Sequence, residues 1–91
     1  MSFVLHDKNG YICELASATA CLLFFEWLGN HQGSGTVSLF LKEGTTAHPR
    51  KLANEIADLL KDDPPTTHVQ ALAEEYIKGL RRARGYAMLT H

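Results

Sequence analysis

Phe3-Val4-Leu5-His6-Asp7-Lys8-Asn9-Gly10-Tyr11-Ile12-Cys13-Glu14-Leu15 is the stretch on which the fold turns. Apolar residues alternate on both sides of a turn-forming Asp-Lys-Asn-Gly, the pattern of a β-hairpin. Two registers compete. A two-residue loop at Asn9-Gly10 sets Lys8 opposite Tyr11 and puts Phe3 and Leu5 on the face away from Tyr11, Cys13 and Leu15. A three-residue loop with Gly10 left-handed in a bulge pairs Asp7 with Tyr11, Leu5 with Cys13 and Phe3 with Leu15. That register gathers the five apolar side chains on one face, with His6 and Glu14 on the other. Burial of a single face sets register, so the bulged hairpin is expected. Asp at the first turn position agrees with it.

Downstream of the hairpin, Ser17 has the chemistry of an N-cap and Gly29-Asn30 of a helix end. The helix between them, Ala18-Thr19-Ala20-Cys21-Leu22-Leu23-Phe24-Phe25-Glu26-Trp27-Leu28, is apolar nearly all round. Such a helix is either central to its domain or half-buried in a partner. Asn30 to Gly35 reads as a loop. Thr36-Val37-Ser38-Leu39-Phe40-Leu41-Lys42 alternates, which predicts a strand with Val37, Leu39 and Leu41 on one face, and Glu43 to Thr46 reads as a turn.

Pro49 suits a first helical turn, and Leu52, Ala53, Ile56, Leu59 and Leu60 follow at helical spacing. Asp62-Asp63-Pro64-Pro65 stops that helix. Thr67 and Gln70 have the spacing of a capping box. The helix they open carries Val69, Leu72, Ala73, Tyr76, Ile77 and Leu80 on one face, with Glu74 and Lys78 paired at i,i+4 and Gly85 as its C′ residue. Tyr86 to Thr90 closes the chain as a short strand. The expectation is an α+β fold: a small, mainly antiparallel sheet, the N-terminal β-hairpin plus one or two further strands, packed against about three helices. The order is β-β-α-β-α-α-(β), with residues 1–91 as a single domain.

Composition narrows the function classes. The 91 residues are 45% hydrophobic and 21% charged, with net charge −1, which suits a globular domain and demands no polyanionic partner. A chain this short buries only about 60–65% of its unfolded surface, so self-association is an attractive way to cover more. Met1 to Asp7 has neither a basic leader nor an apolar h-region, and Ala16 to Leu28 is too short to span a bilayer. A soluble, cytoplasmic protein without membrane contact is expected.

Motifs for chemistry are sparse. His6, His31, His48, His68 and His91 lie far apart without HxH or HxxxH spacing, so no metal is expected. Cys13 and Cys21 do not form a CxxC pair, and both fall on expected core faces, where burial makes a thiol inert. Asp62-Asp63 and Glu74-Glu75 are neighbours in sequence and do not face one another. Gly33-Ser34-Gly35 lacks the following helix that a phosphate loop needs, because a strand is expected there. No catalytic residue and no cofactor are assigned.

Two features remain. Phe24, Phe25, Trp27 and Leu28 must cover more than one side of their helix, and rings of this kind dominate protein interfaces. They point to a non-enzymatic protein-interaction module, regulatory or inhibitory, with another protein or a second copy (a homodimer) as partner. A free sheet edge is the other surface it offers. Lys78, Arg81, Arg82 and Arg84 form the densest basic run. They support the alternative of a nucleic-acid-associated protein, although cations at a helix end also complement its dipole. A small enzyme is a third alternative, whose site sequence alone would not reveal.

Overall fold

In the computed structural model the described residues are 2–15, 17–31 and 35–90. The chain runs β1 (Phe3–Asp7), β2 (Gly10–Leu15), α1 (Ala18–Gly29), α2 (Gly35–Glu43), β3 (Thr45–Thr46), α3 (Pro49–Asp62), α4 (Thr67–Arg82) and β4 (Ala87–Thr90). Among the described residues it is an α+β fold with four helices and one four-stranded antiparallel sheet in the order β2-β1-β4-β3.

The hairpin keeps the expected pairs Phe3–Leu15 and Leu5–Cys13, but then the register slips by one. His6 stands opposite Tyr11 and Asp7 opposite Gly10, not Asp7 opposite Tyr11. The extra residue is thus Ile12, in mid-strand. Gly10 has φ +110°, the left-handed side expected of it. The bulge turns Tyr11 out to solvent, whereas Ile12 packs against the core. One-face burial still governs register, and it is satisfied by exchanging Tyr11 for Ile12.

Against that inner face lies α4. A Cβ on Gly79 would stand 2.6 Å from Leu5 Cδ2 and 3.1 Å from Cys13 Sγ, so the absence of a side chain there lets helix and hairpin approach. Leu5, Leu15, Cys21, Phe24, Leu28, Leu52, Ile56, Tyr76 and Leu80 form the heart of the core. The outer sheet face carries Val4, His6, Tyr11, Glu14, Met88 and Thr90, alternating with the buried positions.

The segment expected as a strand at residues 36–42 is helix α2. Val37, Phe40 and Leu41 recur at i, i+3 and i+4 as well as alternating in part, and in the fold Val37 and Phe40 are buried while Leu39 is exposed. Short apolar runs satisfy both periods, and tertiary packing chose the helical one. The third strand in sequence comes two residues later, as Thr45–Thr46, after a turn at Gly44 with φ +72°.

Two helix ends also differ from expectation. Thr66, not Thr67, is the N-cap of α4 and makes no side-chain cap bond; the Gln70 amide donates to Glu74 Oε1 at 3.5 Å instead. Lys78 pairs with Glu75, at 3.7 Å, where Glu74 was expected. At its other end α4 stops at Arg82, three residues before Gly85, because the Asp7 carboxylate holds the chain extended. Its Oδ2 accepts from the Arg84 N–H and its Oδ1 from the Asn9 N–H, both at 2.8 Å. Gly85, with φ +80°, then turns the chain into β4 beside the hairpin tip.

Candidate functional site

The cap chemistry of α1 is as the sequence implies: Ser17 Oγ accepts from the Ala20 N–H at 3.4 Å. Cys21, Phe24 and Leu28 form the buried stripe of this helix. Phe24 and Leu28 are therefore core residues with no surface to offer a partner. Phe24 packs edge-on to Tyr76, with ring centroids 5.7 Å apart, and stacks on Trp27 at 6.1 Å.

Phe25 and Trp27 flank that stripe and are half-buried. Phe25 turns towards the sheet and α2, edge-on to Phe3 at 5.4 Å and to Phe40 at 6.2 Å. Trp27 turns the other way: its indole N–H donates to the Asp63 carbonyl at 3.1 Å, and its ring lies 5.2 Å from that of His31. His31 Nε2 in turn stands 3.0 Å from Asp63 Oδ2. One acidic residue at the end of α3 thus ties down the end of α1.

The exposed apolar surface of α1 belongs to other residues. Leu22 is 60% exposed and Leu23 50% exposed. On a helical wheel centred on Cys21, Phe24 and Leu28 both leucines fall off the core face, so their spacing in the sequence already carried the signal. Leu23 borders two grooves between α1 and α4. One, of about 300 Å³, is floored by Trp27, Pro65 and Val69; the other, of about 510 Å³, by Ala20, Ala71 and Leu72. A smaller pocket of about 160 Å³ is lined by Phe3, Phe25, Phe40, Leu41, Gly44 and Leu89.

The four basic residues do not converge. Lys78 turns to Glu75, and Arg81 donates to Asn54 Oδ1 of α3 at 3.4 Å. Arg82 lies beside the Cys13 thiol of β2. Arg84 shares a cleft of about 360 Å³ with His48, Arg50 and Lys51 at the start of α3.

The remaining titratable groups are dispersed. Burial pushes the thiols of Cys13 and Cys21 up, opposed in part by Arg82 at Cys13 and by a backbone contact to Phe3 at Cys21. Cys21 Sγ donates to the Leu15 carbonyl at 3.6 Å. Burial likewise pushes the Tyr76 hydroxyl well above its usual range, and that hydroxyl has no hydrogen-bond partner among the described residues. His6 Nε2 lies 2.9 Å from Thr90 Oγ1; His48 and His68 are exposed, and His91 falls outside the described residues. Among the described residues no three His, Cys, Asp or Glu side chains come together as a metal site would need. Gly33 and Ser34 also fall outside the described residues, but the segment after them is the helix α2 and not a strand. No helix among the described residues is long and apolar enough to cross a membrane.

No protein-family model matches the chain, and no curated protein or solved structure matches it either.

Proposed function

We propose that this chain is a small cytoplasmic interaction module, non-enzymatic and regulatory or inhibitory, that binds another protein or a second copy of itself through the open flank of α1. The observation behind the reading is the exposure of Leu22 and Leu23, side by side on a helix whose only charged residue is Glu26. Half-exposing two leucines forgoes hydrophobic stabilisation that the isolated chain could use. The adjoining α1–α4 grooves, with Trp27, Val69 and Leu72 in their walls, give a partner's apolar side chains somewhere to go. Buried anchors of that kind supply most of the energy of an interface.

Affinity capture from the native host, paired with sedimentation of the purified chain, tests the reading. The wild-type chain is expected to recover one partner or to sediment as a dimer. The Leu22→Lys/Leu23→Lys double variant is expected to lose that association while keeping its thermal midpoint. Recovery of the same proteins by both chains, with both monomeric, would overturn the proposal.

A further inference from the structure

Cations near helix ends obey the dipole in α4 and defy it in α3. The last turn of α4 carries Arg81 and Arg82, where the negative end of the helix attracts them. The first turn of α3 carries Arg50 and Lys51 and no acidic residue, so two cations stand at the positive end, where the dipole repels them. The N-cap residue His48 is exposed and makes no side-chain cap bond. Folding alone favours the opposite charge at these positions, and functional sites are where such local rules are broken.

The fold brings more positive charge to the same place. Arg84, from the extended segment between α4 and β4, lines one cleft of about 360 Å³ with His48, Arg50 and Lys51. Pro49 and Ala83, both buried, form its apolar part. Gly85 also lines it, and the Lys8 stem lies against Gly85, where a Cβ would stand 3.2 Å from Lys8 Cδ. Arg50, Lys51 and Arg84 are all exposed. Among the described residues that line the cleft none is acidic. Close by are Asp7, whose oxygens accept from the Asn9 and Arg84 N–H groups, and Glu55, one turn beyond Lys51 on α3. The chain has nine Lys and Arg against ten Asp and Glu, so this gathering of cations does not follow from a basic composition.

From this convergence we infer that the cleft binds a small phosphorylated anion, of the size and charge of a diphosphate, with Arg50, Lys51 and Arg84 on its oxygens. Guanidinium forks match phosphate oxygens two at a time, and an ammonium adds a point charge. An anion seated between them relieves their mutual repulsion and the repulsion from the α3 dipole together. The volume falls at the small end of ligand sites, which run to about 300–1,000 Å³. A nucleic-acid strand fits less well, because it needs cations along a track. Here they surround one point, while Lys78 and Arg81 turn to Glu75 and Asn54. The cleft shares no residue with the grooves beside α1, so it stands or falls independently of the interaction proposed there.

Calorimetric titration of the whole chain with pyrophosphate, and separately with inorganic phosphate, tests it at about 0.05 M ionic strength, where surface charges are less screened. Saturable one-to-one binding of pyrophosphate is expected, tighter than that of inorganic phosphate, with a thermal midpoint that rises with its concentration. Arg50→Glu and Arg84→Gln should each weaken binding about tenfold or more, since each removes hydrogen bonds between charged groups. Without ligand, Arg50→Glu should keep or raise the thermal midpoint, because an acid suits the first turn of α3; lost binding is then not lost folding. Arg81→Glu should change binding less than about twofold, as exposed charges further away are largely screened. Absence of saturable binding to either anion would overturn the inference. So would binding as sensitive to Arg81→Glu as to Arg50→Glu, or an oligo-dT of about 12 nucleotides bound more tightly than pyrophosphate, the mark of a nucleic-acid track.

Discussion

In α3 and α4 the apolar residues keep to one stripe and the charges to the other; in α1 and α2 apolar residues run past the stripe into solvent. Leu52, Ala53 and Ile56 of α3 and Leu72, Ala73, Tyr76 and Leu80 of α4 are buried, and their opposite faces hold Asp, Glu, Lys and Arg. α1 exposes Leu22 and Leu23, and α2 exposes Leu39. Both pairs contribute to one shared core. The difference teaches that the first pair is accounted for by folding alone, whereas the second holds more apolar surface than folding uses.

The largest effect should come from the shared core, where the two pairs meet. Phe24→Ala removes a ring lodged between Tyr76 and Trp27 and should cost about 3–5 kcal/mol. Leu52→Ala, at a fully buried site of α3, should cost about 2–5 kcal/mol by the same mechanism. Urea unfolding followed by circular dichroism measures both. A loss below about 1 kcal/mol at Phe24 would mean that α1 is not part of the common core.

A smaller loss is expected at Gly79→Ala. Alanine gains about 0.8–1 kcal/mol of helix propensity, but the new methyl group would push into Leu5 and Cys13, and overpacking costs about 1–3 kcal/mol. The net result should be destabilisation of about 1 kcal/mol. A more stable variant would show that α4 can lift from the hairpin.

The Asp7 clamp should reveal itself through pH. The Arg84 N–H, ahead of the N–H groups of Asn9 and Gly10, holds this carboxyl below its ordinary 3.8, against the opposing pull of partial burial. A folded-state pKa below the unfolded one gives stability that is present above the unfolded value and lost as pH falls through the folded one. Asp7→Asn should therefore lower the thermal midpoint at neutral pH and flatten its decline below about pH 4. Parallel wild-type and variant curves would remove the clamp from the account of why α4 ends at Arg82.

The smallest effects on stability should be at the exposed leucines. Leu22→Lys and Leu23→Lys are each expected to stay within about 0.5 kcal/mol of wild type in the isolated chain. A large loss at either would place that side chain in the core after all and erase the contrast between the helix pairs.

Local signals were strong wherever one residue type had one job. The hairpin partners Phe3–Leu15 and Leu5–Cys13, the Ser17 cap, the Pro49 start and the Asp-Pro stop all answer to turn chemistry and periodicity within a few residues. The closing strand at Ala87–Thr90 and the α+β class could be read on the same grounds. The candidate sites were much less legible. The four residues expected at an interface divide into core, Phe24 and Leu28, and half-buried flanks, Phe25 and Trp27, because a helix apolar all round does not say which side its neighbours occupy.

By itself, then, the sequence determined the hairpin, three of the helices and the single apolar face of the sheet, since each follows from backbone preferences and spacing along the chain. Only the tertiary structure decided that residues 35–43 coil rather than extend, since both periods were present and the helical one packs the Phe40 ring against Phe25 and Tyr76. It also decided that the bulge falls at Ile12, that Asp7 reaches Arg84, and that Tyr11, His6 and Met88 share a row. The pairs Asp7–Arg84 and His6–Met88 join residues 77 and 82 positions apart, and no local preference encodes them.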